Sequence, residues 1–234
     1  MVVVFGASGP TGLHVVRQAL DANHSVVAVT RRPESFPIEA PGLWVAAADV
    51  EDASAVHRVT ADAQAVISTF GVRYSRRPIH IYSNGIRNVL DAMAAHDIGR
   101  LVCVSSTTLA QEEVPGETLW WRRVVIPLLR NVVGRTLYDD MARMEAIVRE
   151  SSCDWTIVRP GGLFDTPEPT GTLSVAALRL RGRFTSRADL ASVLIREATT
   201  AQVHHRAILE AITGFGPPSP LNTFLRETFG GGKR

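Results

Sequence analysis

The residues most suited to chemistry stand at the start of the chain, in the turn Gly6-Ala7-Ser8-Gly9-Pro10-Thr11-Gly12. An apolar run at 2–5 precedes the turn, and a segment with helical spacing of apolar residues, 13–20, follows it. Strand, glycine turn and helix in that order aim backbone N–H groups and the positive end of a helix dipole at one spot, where a pyrophosphate can sit. A glycine triplet alone serves any strand-to-helix turn. Here a second apolar run at 25–30 follows at βαβ spacing, which marks a dinucleotide site. Gly6, Ser8, Gly9, Pro10, Thr11 and Gly12 are therefore candidate cofactor contacts.

The end of the second run selects the cofactor. A ribose 2′-hydroxyl calls for an acid at that place, whereas a 2′-phosphate calls for a planar, permanently charged donor. The chain reads Val29-Thr30-Arg31-Arg32-Pro33, and its nearest acid, Glu34, lies beyond the proline. Arg31 and Arg32 thus favour NADPH/NADP+, because a carboxylate on the phosphate would repel it.

One compositional fact narrows the chemistry further. Lys233, in the terminal glycine-rich tail 230–234, is the only lysine among 25 basic residues. A Schiff base, a lysine general base and a Tyr-x-x-x-Lys pair are thereby set aside. The seven histidines lack metal-ligand spacing, and His204-His205 has no nearby cysteine or carboxylate company, so no metal is expected. Cys103 and Cys153 adjoin apolar runs and read as buried thiols, which suits a reducing cytoplasm. A net charge of +2 without a basic stripe excludes a nucleic-acid partner. With neither a charged leader nor an 18-residue apolar stretch, the expectation is a soluble cytoplasmic protein without a membrane partner, monomeric or homodimeric.

The elements that must position these residues follow from periodicity. Apolar runs at 2–5, 25–30, 43–47, 65–69, 101–105 and 155–158 alternate with helical segments at 11–22, 53–59, 83–96, 138–151, 187–199 and 221–229. A last strand is expected near 206–211. The pattern predicts an α/β fold, a Rossmann-like doubly wound parallel sheet of strand order 3-2-1-4-5-6 with helices on both faces, in one domain over 1–229. Two connections are long: 108–137, with Trp120, Trp121 and an apolar run bracketed by arginines, and 161–186. They read as substrate loops able to wall off an apolar pocket, the first as a lid or docking surface.

Several motifs in register resemble a known group. Beside the glycine turn, Asp49-Val50, Leu101-Val102-Cys103-Val104-Ser105-Ser106, the stretch from Arg149 through Asp154-Trp155-Thr156-Ile157-Val158-Arg159-Pro160-Gly161, and Thr185-Ser186-Arg187-Ala188-Asp189 are similar to the atypical short-chain dehydrogenase/reductases. That NAD(P)H-binding group includes NmrA-like proteins and the biliverdin reductase B type of flavin reductase. The resemblance implies that Asp49 and Val50 border the adenine, although Asp49 suits a helix cap equally. It implies that Thr69, Phe70 and Gly71 pass the ribose and nicotinamide, where an ordinary turn is the alternative, and that the Pro160-Gly161 backbone contacts the carboxamide. Ser105 and Ser106 would face the nicotinamide, with Ser106 holding a substrate oxygen, or else form a cap or turn. Arg159 would pair with an acid such as Glu145.

Tyr138 aligns with the start of the group's active-site helix, and the position matching the usual lysine is Ala142. Arg135 or Arg143 could be an electrostatic neighbour but cannot relay a proton at ordinary pH. Asp139 and Asp140 suit the dipole at the start of that helix. With Ser106 and Tyr138 as the catalytic candidates, the reading is an NADPH-dependent oxidoreductase giving hydride to a flat, apolar, conjugated acceptor such as a quinone, flavin or aromatic carbonyl, with solvent supplying the proton. The alternative is a non-catalytic NADP(H)-binding sensor of the NmrA-like type. A sugar-nucleotide epimerase ranks last because it requires the missing lysine.

Overall fold

The apolar runs become parallel strands because each is covered on both faces. In a computed structural model, which describes residues 1–72, 74–75, 77–110, 121–201 and 204–217, β1 (Val2–Phe5), β2 (Val26–Thr30) and β4 (Ala65–Ser68) are buried throughout. β3 (Leu43–Ala47), β5 (Arg100–Val104) and β6 (Asp154–Pro160) complete the expected 3-2-1-4-5-6 order. The sheet continues past β6 through β10 (Ala207–Thr213), which is parallel to it, to an antiparallel edge strand, β8 (Leu173–Ala176). Part of the 161–186 connection thus enters the main sheet, and part forms a separate pair, β7 (Gly162–Phe164) with β9 (Phe184–Ser186).

Helices cover the two faces. α1 (Pro10–Asp21) and α6 (Arg187–Thr199) pack on one face through Val15, Val16, Ala19, Leu190 and Leu194. α2 (Ala53–Thr60), α3 (Ile81–Ala95) and α5 (Arg135–Glu150) cover the other through Val56, Ile86, Met93, Met141 and Met144. Asp52 accepts the Ala55 N–H at 3.0 Å to cap α2, and Ser186 caps α6. The connection expected as a loop at 108–137 is helical over 121–133: a π-helical turn Trp121–Val125, the short α4 (Ile126–Leu128) and a second π-helical stretch Leu129–Val133. Residues 111–120, with Trp120, lie outside the described residues, as do the helix expected at 221–229 and the tail at 230–234.

The apolar interior governs thiol chemistry. Cys103 on β5 is fully buried, and burial pushes its thiol far above the usual range, with nearby Glu145 adding to the effect. Cys153 is only partly buried. In the native protein one thiol, Cys153, should react with a disulfide reagent, and Cys103 should react only after unfolding. Two fast-reacting thiols would contradict this packing.

Candidate active site

Because β1 to β6 are parallel, the residues that follow each of them share one edge of the sheet, and the order reverses between β1 and β4. The glycine turn occupies that switch point. Gly6 has φ +76, and a Cβ there would stand 2.7 Å from the Thr69 carbonyl. Thr69 clamps the turn from β4: its hydroxyl donates to the Phe5 carbonyl at 2.9 Å and to the Gly6 carbonyl at 3.2 Å. A Cβ at Gly12 would overlap the Gly6 carbonyl, so only glycine lets α1 begin so close to the turn.

The mouth of α1 is open. Its N-cap, Gly9, supplies no side-chain acceptor, Pro10 stands in its first turn, and the Gly9 and Leu13 N–H groups bond within the turn. Among the described residues, the N–H groups of Ser8, Thr11 and Gly12 have no protein acceptor. Several unpaired donors on a helix N-terminus suit a diphosphate.

Beside that mouth, Thr30 Oγ1 donates to Ser8 Oγ at 3.2 Å and accepts the Arg32 N–H at 3.3 Å. The β2 terminus is thereby tied to the phosphate turn, with Arg31 and Arg32 next in the chain. Both are exposed, and among the described residues neither guanidinium has an acidic partner. Pro33–Ser35 forms a short 3₁₀ turn after them, in which Glu34 is exposed.

The remaining positions on this edge have mixed commitments. Asp49 does not cap α2; one of its carboxylate oxygens accepts the Glu51 N–H at 3.0 Å, and the cap is Asp52. Val50 is buried against Gly85 of α3, with Phe70 beside it, and Phe70 meets Phe5 edge-on at 6.2 Å. Gly71 faces open space.

At the ends of β5 and β6 lies a buried ionic cluster. The Ser105 hydroxyl turns inward and donates to Glu145 Oε1 at 2.5 Å, while Arg159 holds the same carboxylate through Nε at 2.9 Å and Nη2 at 2.5 Å. The pairing expected of Arg159 with Glu145 is present. Ser105 is thus committed to this cluster rather than turned toward the crevice. Ser106 is partly exposed, and its oxygen accepts the Thr108 N–H at 3.2 Å. A hydroxyl that accepts one bond keeps its own proton to donate. Pro160 is buried, and the Gly161 and Gly162 N–H groups are taken by Thr185 Oγ1 at 2.9 Å and the Arg183 carbonyl at 2.7 Å. Those N–H groups are therefore not the ones that reach a carboxamide.

α5 begins at Arg135, three residues before Tyr138, so Tyr138 sits in its first turn and is buried. Its Oη lies 2.9 Å from Tyr74 Oη. Tyr82 packs nearby with its hydroxyl accepting the Val72 N–H at 3.4 Å, and burial pushes its pKa up to about 12. Ala142 faces solvent, away from the buried face that carries Tyr138, Met141 and Glu145. Asp140 does not serve the dipole of its own helix. It is fully buried and caps α3, accepting from Tyr82 N at 2.9 Å, Ser83 Oγ at 2.5 Å and Arg143 Nη2 at 3.1 Å. Asp139 instead pairs with Arg135 across one exposed turn, at 3.8 Å.

Thr69 as a clamp, Tyr74 as a hydroxyl partner and Thr185 as a backbone acceptor escape sequence reading, since each acts across more than twenty residues. Only the position of Thr69 at a strand end pointed to the site.

A family model described as NAD(P)H-binding matches residues 6–201. An uncharacterised chloroplastic protein of Arabidopsis thaliana is 33% identical over 181 residues, 74% of this chain and 62% of that protein. The matching segment spans only 12% of a Mycobacterium tuberculosis relative. Among solved structures, the fold is similar to ChuY, an anaerobilin reductase from Escherichia coli O157:H7, at 24% identity and TM-score 0.71, over 93% of this chain and 99% of that one. It is similar also to a Veillonella parvula short-chain dehydrogenase/reductase in complex with NADP, at 16% identity and TM-score 0.75, over 93% and 98%. With its glycine turn at the switch point of a 3-2-1-4-5-6 sheet, the chain belongs to the NAD(P)H-binding family, as an atypical short-chain dehydrogenase/reductase.

Proposed function

We propose that this chain is an NADPH-dependent reductase that passes a hydride to a planar, conjugated acceptor of the quinone, flavin or aromatic carbonyl class. The observation that carries the cofactor choice is the pair of exposed guanidinium groups, Arg31 and Arg32, placed without an acid beside an open helix N-terminus. Ser8, Thr11 and Gly12 N–H groups would hold the diphosphate, and the arginine pair the 2′-phosphate. When bound, the nicotinamide supplies the hydride.

The choice of acceptor rests on what the site lacks and what it hides. With Ser105 committed to Glu145 and Tyr138 buried against Tyr74, Ser106 is the partly exposed hydroxyl among these candidates that is left to hold a substrate oxygen. An acceptor whose reduced form spreads charge over a π-system needs orientation more than a poised acid, and solvent can deliver its proton. Assays of NADPH consumption across quinones, flavins and simple ketones test this reading. Activity confined to ketones or secondary alcohols would refute it.

Tyr138→Phe supplies a second check. A dedicated proton donor contributes about a hundredfold or more. Since Tyr138 is buried on Tyr74, its replacement should lower kcat/KM with a quinone by less than about tenfold. A loss of that larger size would make Tyr138 the acid.

The internal commitment of Ser105 and Tyr138 also favours a second reading, a sensor that binds NADP(H) without turnover. Such a protein would distinguish oxidised from reduced cofactor in a calorimeter and would not oxidise NADPH, whichever acceptor is offered.

A further inference from the structure

We infer that the helical run 121–133 docks on the surface of an anionic lipid bilayer. Val124, Leu128 and Val132 recur every four residues and are 45%, 50% and 70% exposed, which places three apolar side chains in one stripe left open among the described residues. Arg123 is exposed and Arg130 partly so, and among the described residues neither has an acidic partner. Between Glu117 and Asp139 the chain carries four arginines and no acid.

Charge decides among the possible occupants. A second copy packed by two-fold symmetry would bring the arginines of both copies, and no acid from this run, into one interface. An anionic bilayer accepts both halves of the pattern: the apolar stripe enters the boundary between headgroups and acyl chains, and the guanidinium groups meet lipid phosphates. No described helix is long and apolar enough to cross a membrane, so the association is peripheral. The expectation of no membrane partner rested on the lack of a charged leader and of a spanning apolar stretch, and neither bears on an interfacial helix. The run leads through Gly134 directly into α5, whose first turn carries Tyr138. Docking therefore brings lipid close to that end of α5.

The full chain, without cofactor, should cosediment with vesicles of phosphatidylcholine mixed with phosphatidylglycerol and not with vesicles of phosphatidylcholine alone. Raising the salt should release it. Replacing both arginines (Arg123→Gln with Arg130→Gln) should lower partitioning by about fivefold for each arginine. Val132→Glu should abolish binding while leaving the thermal midpoint unchanged, since that side chain is largely exposed. The inference is overturned if the wild-type chain ignores anionic vesicles, or if these variants bind them undiminished. It is overturned equally if sedimentation velocity shows self-association that Val132→Glu removes, without vesicle binding, because that result assigns the stripe to a second copy. NADPH plays no part in this test, so its outcome stands apart from the proposed reductase activity.

Discussion

Replacing Arg31 and Arg32 together by alanine is expected to weaken NADPH binding about a hundredfold while changing NADH affinity by less than about threefold. A hydrogen bond to a charged group contributes about 1.5–3 kcal/mol, and the exposure of both arginines places them at the lower end of that range. Two such contacts give about 3 kcal/mol, and each 1.4 kcal/mol is about a factor of ten in affinity. Salt should narrow the gap between the two cofactors, as it screens exposed charges. The fold should be unaffected, because among the described residues no ion pair uses either side chain. Fluorescence titration of both cofactors at two salt concentrations checks the result. Equal losses for NADPH and NADH would show that the arginines do not read the 2′-phosphate.

The second large effect is on stability. Glu145→Ala should cost about 3–5 kcal/mol, because it strips Arg159 of its carboxylate and Ser105 of its acceptor inside the protein. At about 2–4 °C per kcal/mol for a chain of this size, the thermal midpoint should fall by roughly 10 °C. The double variant Glu145→Met with Arg159→Met should recover much of that loss, since an apolar pair of similar volume carries no buried charge. A midpoint within about 2 °C of wild type for Glu145→Ala would mean that the cluster contributes little to stability.

Strands were legible where apolar runs were unbroken, and less so where pairing depends on distant partners. β1 and β3 fall at the expected residues, and α6 occupies 187–199 as periodicity predicts. The start of α5 moves to Arg135, because apolar spacing marks a buried face and not the turn before it. The run 121–133 read as a loop because Pro127 interrupts a nearly continuous apolar stretch without helical spacing, yet the chain there is helical, with Pro127 in a short α-helical segment between two π-helical stretches. The phosphate turn was readable because its chemistry is local: glycines, a helix start and backbone donors lie within seven residues. Ser105 and Asp140 were less so, since each carries a side chain committed to a partner on another element. For Glu145 the opposite holds. A lone acid on the apolar face of a helix needs a buried cation, and Arg159 on β6 is well placed to supply it.

The most direct test is a calorimetric titration of the full chain with NADPH and then with NADH. The open start of α1 and the arginine pair predict saturable one-to-one binding of NADPH, tighter than NADH by about tenfold or more, in keeping with at least one charge-assisted contact to the additional phosphate. Absence of heat with either dinucleotide, or identical affinity for both, would contradict the cofactor assignment.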